Sequence, residues 1–338
     1  MLQLTSSRLF LSLREPGDGF YCGTRFDRSG VFASLRFDGV EMAGPWFAKY
    51  DPYMHDAVQG PAEEFSPIWV SGGQSPSVGQ ATREIGFLSR CIKIGVGLLR
   101  LPDNQPYDRF RLYEIVDPGR WEAFSEGERI VFRHILDGWY DYEKQIVLTG
   151  ETSFEIRHSL SSPGPELSGE VYNHNFFTFG KMAVGPSREI DFPFAPSGTW
   201  RSVYDSVAFT ASGVRFSRAL SEGESVYSGD IHAAGRSGMP YRITIRETAP
   251  IEGDGVFQTA AGNYFSSSVP KNHFSSAGPS PIAVCIEGDV PVTHTVLWAN
   301  HRIACLEPYN VFRAISSPSF HGLPVESPFR WTIRYELF

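Results

Sequence analysis

The sequence predicts an all-β protein, built as a large two-sheet antiparallel β-sandwich. Its 338 residues include 33 glycines and 24 prolines, and 14% are aromatic, so turns and strand-forming side chains are both abundant. Many short segments have the pattern of strands, and none has the period of a helix longer than about two turns. No linker or fixed-period repeat is present, and we therefore expect one domain covering residues 1–338.

Charge and composition exclude several classes of partner. The net charge is −8 and the pI is about 5.6, which argues against binding to nucleic acid or to an anionic membrane surface. No apolar run is long enough to span a membrane, and the N-terminus lacks the pattern of a signal peptide. The four cysteines are scattered and form no CxxC pair, so we expect a reduced, cytoplasmic protein without a metal or cofactor.

The N-terminal part of the chain predicts a first strand in residues 1–14 and another at Val31–Phe37, followed by an Asp38-Gly39 hairpin turn. Between them, Arg25 and Asp27 lie in the segment GTRFD. This segment is either a surface turn with a local ion pair or a loop whose guanidinium holds a ligand.

Residues 44–69 predict a long loop. Loops of this length in compact proteins are usually functional or disordered, and six aromatic residues argue against disorder. The loop contains Trp46 and His55, both candidates for a binding site.

Further strands are predicted over the remainder of the chain. The pattern in 86–101 indicates a strand pair, and Thr152–Leu160 alternates with His158 on its apolar face, where a satisfied core histidine is the favoured interpretation. Three consecutive strands are predicted at Ile282–Glu287, Val292–Trp298 and Arg302–Glu307. The last strand, Phe329–Leu337, turns four residues inward: Trp331, Ile333, Tyr335 and Leu337.

Two strands carry the strongest candidates for chemistry. Val171–Gly180 has His174 between two asparagines, and buried Asn-His-Asn side chains need polar partners. His174 therefore either bonds a backbone carbonyl or points into a polar cleft. In Arg302–Asn310 an apolar run reaches Glu307 and then Pro308, which we expect to end the strand and leave the carboxylate facing a cleft. Together they form a possible acid/base pair.

These two segments resemble the aldose 1-epimerase (galactose mutarotase-like) superfamily. Its Asn-His-x-Tyr/Phe-Phe strand matches residues 173–177, and its apolar-Cys-apolar-Glu-Pro segment matches residues 304–308. The resemblance implies a supersandwich fold, with His174 as general acid and Glu307 as general base. It also implies that Arg25, His55 and Asp230 hold sugar hydroxyls, although a turn residue without a function is the favoured interpretation of Asp230. Trp46 and Phe177 are expected to stack on the sugar.

One family motif is incomplete. The family has a His-Gly-x-x-Arg segment near this point, whereas this chain has His55-Asp56 with Val58 and Gln59 after it. Glu63 and Glu64 are expected to replace the contacts that the arginine makes.

The expected activity is the interconversion of sugar anomers, with His174 and Glu307 on opposite sides of a bound pyranose and a small sugar as the partner. Two alternatives remain open. The first is a carbohydrate-binding β-sandwich module without catalysis, and the second is a lyase or hydrolase acting on oligosaccharides. The sequence leaves the sugar and the oligomeric state open.

Overall fold

The computed structural model describes residues 1–70, 90–102, 105–233, 240–251, 280–316 and 326–338. Within these ranges every regular element is a β-strand, and no helix is present, which confirms the all-β prediction. Accordingly, the described ranges include no helix that is long and apolar enough to cross a membrane.

The strands of the N-terminal half are β1 (Leu2–Thr5), β2 (Leu9–Leu13), β3 (Phe32–Phe37), β4 (Val40–Glu41), β5 (Gly60–Phe65), β6 (Ile68–Trp69), β7 (Arg90–Lys93), β8 (Gly97–Arg100), β9 (Glu114–Asp117), β10 (Arg120–Glu126), β11 (Arg129–Leu136), β12 (Tyr140–Leu148) and β13 (Ser153–Ser161). Those of the C-terminal half are β14 (Leu167–Phe177), β15 (Arg188–Asp191), β16 (Pro196–Ser197), β17 (Val207–Phe209), β18 (Gly213–Phe216), β19 (Ser225–Tyr227), β20 (His232–Ala233), β21 (Pro240–Ile251), β22 (Ser280–Pro291), β23 (His294–Asn300), β24 (Ala304–Ser316), β25 (Glu326–Ser327) and β26 (Phe329–Leu337).

Two sheets contain most of these strands. The ten-stranded sheet has the order β10-β11-β12-β13-β26-β22-β21-β15-β18-β17. The six-stranded sheet has the order β19-β23-β24-β14-β5, with β25 paired to β24. Smaller sheets are formed by β1-β2-β3-β4, by β6-β7-β8-β9 and by β16-β20. Adjacent strands run antiparallel in each sheet, as in the central β14–β24 pair.

The two large sheets pack face to face, as predicted for a sandwich. The alternation predicted for β26 is confirmed, since its inward residues are buried: Trp331, Ile333, Tyr335 and Leu337. Tyr335 of the ten-stranded sheet also hydrogen-bonds across the interface. Its hydroxyl lies 2.7 Å from Asn173 Oδ1 and 3.0 Å from Asn175 Oδ1 on the six-stranded sheet. Burial of apolar side chains contributes most of the free energy that holds the two sheets together. The hydrogen bonds of Tyr335 link the two sheets at a defined position.

Charged side chains lie inside this interface. The ammonium group of Lys144 contacts the carboxylate of Glu63 and lies 3.6 Å from Asp27 Oδ2. His158 Nε2 lies 3.1 Å from Glu63 Oε1, so this histidine is a satisfied core residue, as the sequence indicated. All four side chains are buried. We call this set, Asp27, Glu63, Lys144 and His158, the inner cluster.

Several sequence predictions can be compared with the strands directly. The Asp38-Gly39 hairpin is confirmed between β3 and β4, and both residues have positive φ (47° and 82°), as a type I′ turn requires. The first predicted strand is instead a pair, β1 and β2. The strand pair predicted in 86–101 corresponds to β7 and β8, and residues 86–89 lie outside the described ranges.

Two predictions were wrong. The 44–69 segment is not a loop throughout, because residues 60–65 form β5 and pair with β14. Glycine, proline and two glutamates disguised this strand, and partners distant in the sequence compensate its buried charges. The other error was to end a strand at Glu307. β24 continues through Pro308 to Ser316 without a change of register.

Candidate active site

The site is built on three adjacent strands, β5, β14 and β24. Tyr172 pairs with Tyr309, and Asn175 pairs with Leu306, so the unbroken register between them places His174 directly opposite Glu307. Strand alternation turns His174 away from the ten-stranded sheet, to what we call the outer face of the six-stranded sheet. His174 and Glu307 therefore lie close together on two neighbouring strands, as the sequence hypothesis required.

His174 lies between two carboxylates. Its Nε2 is 3.2 Å from Glu64 Oε2 and its Nδ1 is 3.2 Å from Glu307 Oε1. The imidazole is 1% exposed, with the Phe26 ring edge-on at 4.8 Å and the Phe176 ring stacked at 5.5 Å. Both carboxylates are also buried, so all three groups are shielded from bulk water.

Among the described residues, Glu64 has the largest number of charged neighbours on the outer face. Arg25 Nε donates to its Oε2 at 2.6 Å, and Arg109 Nε lies 3.6 Å from its Oε1. Burial alone would raise the pKa of Glu64, but the charge of Arg25 and the bond from His174 hold that pKa well below its usual range. We call Arg25, Glu64, Arg109, His174 and Glu307 the outer cluster.

Arg109 is a site residue that sequence reasoning missed. It lies in the segment before β9, with its guanidinium 5.1 Å from the centre of the Tyr172 ring. Tyr172 stacks on Tyr309 at 4.1 Å, so the arginine joins the two tyrosines to Glu64. Its sequence context, PYDRFR, is that of an ordinary polar loop and contains no signal for this contact.

Arg25 and His55 occupy different depths. Arg25 is buried against Glu64, where its pKa is raised because the charges of Glu64 and Glu307 outweigh the cost of burial. It is therefore not a surface turn residue. His55 lies further out, with its Nε2 3.4 Å from Asp56 Oδ2 and its ring 5.0 Å from that of Phe110. Phe110 in turn lies 5.3 Å from the Arg25 guanidinium, which places His55 at the rim.

Asp230 is also peripheral. Its side chain is 60% exposed, and its Oδ1 lies 3.8 Å from His294 Nε2. His294 stacks on Tyr309 at 4.3 Å. Among the described residues, Asp230 is connected to the outer face through a histidine and a tyrosine.

The two aromatic residues predicted to stack on sugar require correction. Phe177 is completely buried in the main apolar core, 6.1 Å from the Tyr335 ring. It belongs to the opposite face of β14 from His174, because side chains alternate along a strand. Trp46 is 6% exposed, and its Nε1 donates to Val58 O. It stacks on Phe176 at 5.5 Å, the ring that in turn stacks on His174.

Trp298 is the better placed indole. It pairs with Cys305 in the β23–β24 ladder, which puts it on the same face as Glu307, and it is only partly buried. Its ring meets Trp46 edge-on at 5.2 Å. A partly exposed indole on the same face as Glu307 is suited to the apolar face of a sugar ring.

Within the described ranges, three side chains have donor atoms close enough to consider a metal: His174, Cys305 and Glu307, all within 4.8 Å of one another. A thiol must lose its proton to bind a metal. Burial and the charge of Glu307 raise the pKa of the Cys305 thiol well above its usual value. Arg25 adds positive charge near Glu307. Cys305 is therefore poorly suited to act as a thiolate ligand in this environment.

Comparison with known proteins supports the fold. No family model and no curated protein matches the sequence. Among solved structures, the galactose mutarotase related enzyme from Lactobacillus acidophilus matches with a TM-score of 0.51 at 10% identity, covering 100% of this chain and 97% of that one. A galactose mutarotase-like protein from Lactobacillus casei gives 0.48 at 11%, covering 100% of both chains. The Slr1438 protein from Synechocystis gives 0.48 at 13%, covering 99% of this chain and 94% of that one. The match to the Lactobacillus acidophilus structure shows that the chain has the galactose mutarotase-like fold that its two strand motifs indicated.

Proposed function

We propose that this protein is an aldose 1-epimerase-like enzyme that interconverts the anomers of a small sugar. One observation carries the proposal. His174 Nδ1 and Glu307 Oε1 lie 3.2 Å apart, on neighbouring strands of one buried site. An imidazole beside a carboxylate supplies both groups that ring opening needs, an acid and a base.

The reaction would proceed through the open-chain sugar. Glu307 takes the proton of the anomeric hydroxyl while His174 gives its proton to the ring oxygen, and the C1–O5 bond breaks. The aldehyde rotates about C1–C2. The O5 hydroxyl then attacks the other face of C1, its proton returns to His174, and Glu307 returns its proton to O1. Each group ends as it began, so no co-reactant is consumed.

The placement of the two groups differs from the expectation that they flank the sugar. They lie side by side, since they are cross-strand neighbours. This arrangement suits the chemistry, because O1 and O5 are both bonded to C1 and are themselves neighbours. A sugar presenting its C1 edge to the outer face would offer both oxygens at once. Trp298 would then contact its apolar face, and Arg109 would be near its hydroxyls.

The test compares anomer exchange, sugar affinity and folding in matched variants. Glu307→Gln removes the basic oxygen and His174→Asn removes the titratable nitrogen, so each should slow NMR-detected anomer exchange of aldohexoses by about 10²-fold or more. Sugar affinity should change much less, since the lost interactions are made chiefly in the transition state. Glu336→Gln is the matched control, because that side chain is 47% exposed.

Two results would contradict the proposal. Normal exchange in a folded Glu307→Gln protein would exclude Glu307 as the base. Saturable aldohexose binding by the wild type without any acceleration of exchange would identify a binding module. Melting temperatures show whether a variant is folded. If His174 or Glu307 had only a structural role, sugar binding would fall only in proportion to the folded fraction.

A further inference from the structure

The bond between Glu64 and His174 determines which nitrogen of the imidazole can transfer a proton. Glu64 Oε2 lies 3.2 Å from His174 Nε2 with hydrogen-bond geometry. Glu64 is buried, and Arg25 donates to the same oxygen at 2.6 Å. An ionised carboxylate only accepts hydrogen bonds. The proton in this bond must therefore belong to Nε2 of His174.

The other nitrogen is in a different situation. His174 Nδ1 is buried and has no hydrogen-bond partner among the described residues. Glu307 Oε1 is 3.2 Å away, but the contact lacks hydrogen-bond geometry. A buried polar atom without a partner calls for an explanation. Here the missing partner would be the substrate oxygen.

We propose that Glu64 is a positioning residue, which keeps a proton on Nε2 of His174. The doubly protonated imidazole gives its Nδ1 proton to the sugar ring oxygen, is left as the Nε2–H tautomer, and takes the proton back on Nδ1. The role rests on the proposed epimerase function. It also explains why two arginines converge on a carboxylate that touches no reacting atom in the mechanism. Arg25 and Arg109 hold Glu64, and Glu64 holds the imidazole.

The strand β5 provides a matched control. Glu63 and Glu64 are consecutive, buried glutamates that face opposite sides of the strand. Glu63 contacts Lys144, His158 and Asn173, all on the inner side. Glu63→Gln therefore makes the same chemical change in the same strand without altering a contact of His174.

The first measurement reads the tautomer directly. In protein labelled with ¹⁵N-histidine, long-range ¹H–¹⁵N correlation spectra distinguish a protonated from a bare ring nitrogen, and His174→Asn assigns the signals. We expect the neutral ring to carry its proton on Nε2 in the wild type and in Glu63→Gln. In Glu64→Gln, whose amide also presents a donor, we expect a substantial Nδ1–H population. A neutral wild-type ring that carries its single proton on Nδ1 would overturn the proposal, even if Glu64→Gln failed to fold.

The second measurement is kinetic. Glu64→Gln should lower kcat for anomer exchange at least tenfold while KM changes less than about threefold, because a misdirected acid affects the transition state more than binding. Glu63→Gln should lower the melting temperature but leave kcat per folded molecule near the wild-type value. A normal kcat in folded Glu64→Gln would refute the role. If the wild type shows the Nε2–H tautomer but exchanges no anomers, the proposed function fails and the tautomer assignment stands.

Discussion

Replacing Lys144 by methionine tests whether the inner cluster is a balanced set of charges. The Lys144 ammonium group contacts Glu63, lies 3.6 Å from Asp27 Oδ2 and donates to Ser29 O at 3.0 Å. Its side chain is 1% exposed. Lys144→Met keeps most of the volume but removes the cation, so two buried carboxylates lose their shared partner.

The expected loss follows from the cost of an uncompensated buried charge. Breaking a buried ion pair on one side costs about 3–5 kcal/mol. The cluster has one way to limit this loss. Burial already raises the pKa of Asp27, and this carboxyl can bind a proton once Lys144 is gone. We therefore expect a decrease of about 3 kcal/mol in the free energy of unfolding at pH 7, the lower end of that range.

Urea unfolding followed by tryptophan fluorescence measures this decrease, provided that the m-value is unchanged. The double variant Glu63→Gln/Lys144→Met should recover much of the loss, because it removes one of the stranded carboxylates. Lys49→Met, at an exposed position, should change stability by less than about 0.5 kcal/mol. A loss below about 1 kcal/mol in Lys144→Met, or a double variant less stable than the single, would refute the reasoning.

Three further outcomes are expected. Burial lowers the pKa of Lys93 to about 8 from 10.5, so the unfolded chain binds the extra proton between those values and stability rises with pH across that window. Lys93→Met should abolish this rise in stability, as measured by urea titrations at several pH values. At pH 7 the gain from removing the buried charge exceeds the loss of one hydrogen bond, so we expect a net stabilisation of ~2 kcal/mol. A destabilised variant would contradict this. Phe177→Leu should lower the free energy of unfolding by about 1 kcal/mol but leave sugar affinity unchanged in an NMR titration. A tenfold weaker affinity would indicate that Phe177 contacts the sugar after all. Trp298→Ala should weaken aldohexose binding about 3–10-fold with little change in melting temperature, whereas unchanged affinity would exclude stacking on Trp298.

The strands of the site were predictable where their apolar pattern is continuous. β14 is apolar on both sides of Asn-His-Asn, and Ala304–Leu306 are apolar before Glu307, so both were recognised. The end of β24 was not predictable from Pro308 alone. The ladder there tolerates one residue without an N–H, because the residues on both sides keep their register.

Other features depended on contacts that no local pattern reveals. β5 contains two buried glutamates, which argue against a strand unless the positions of Lys144 and Arg25 are known. Arg109 reaches Glu64 from a separate segment. The error at Phe177, in contrast, was avoidable. Residues 174 and 177 differ by an odd number, so a strand that turns His174 toward the site must turn Phe177 away.

The same alternation explains how one pair of strands serves two purposes. Along β5, Glu63 belongs to the inner cluster and Glu64 to the outer cluster. Along β14, Asn173 faces inward and contacts Glu63, whereas His174 faces outward and contacts Glu64. A slip of β5 by one residue would exchange the glutamates between the faces. The slip that moves Glu64 into the position of Glu63 would bring Glu64 toward Lys144 and leave Arg25 without a carboxylate. The outer cluster therefore penalises a register that misplaces Glu64, because Arg25 would lose its buried carboxylate. Through that penalty the pairing of β5 with β14 keeps Glu64 in contact with His174.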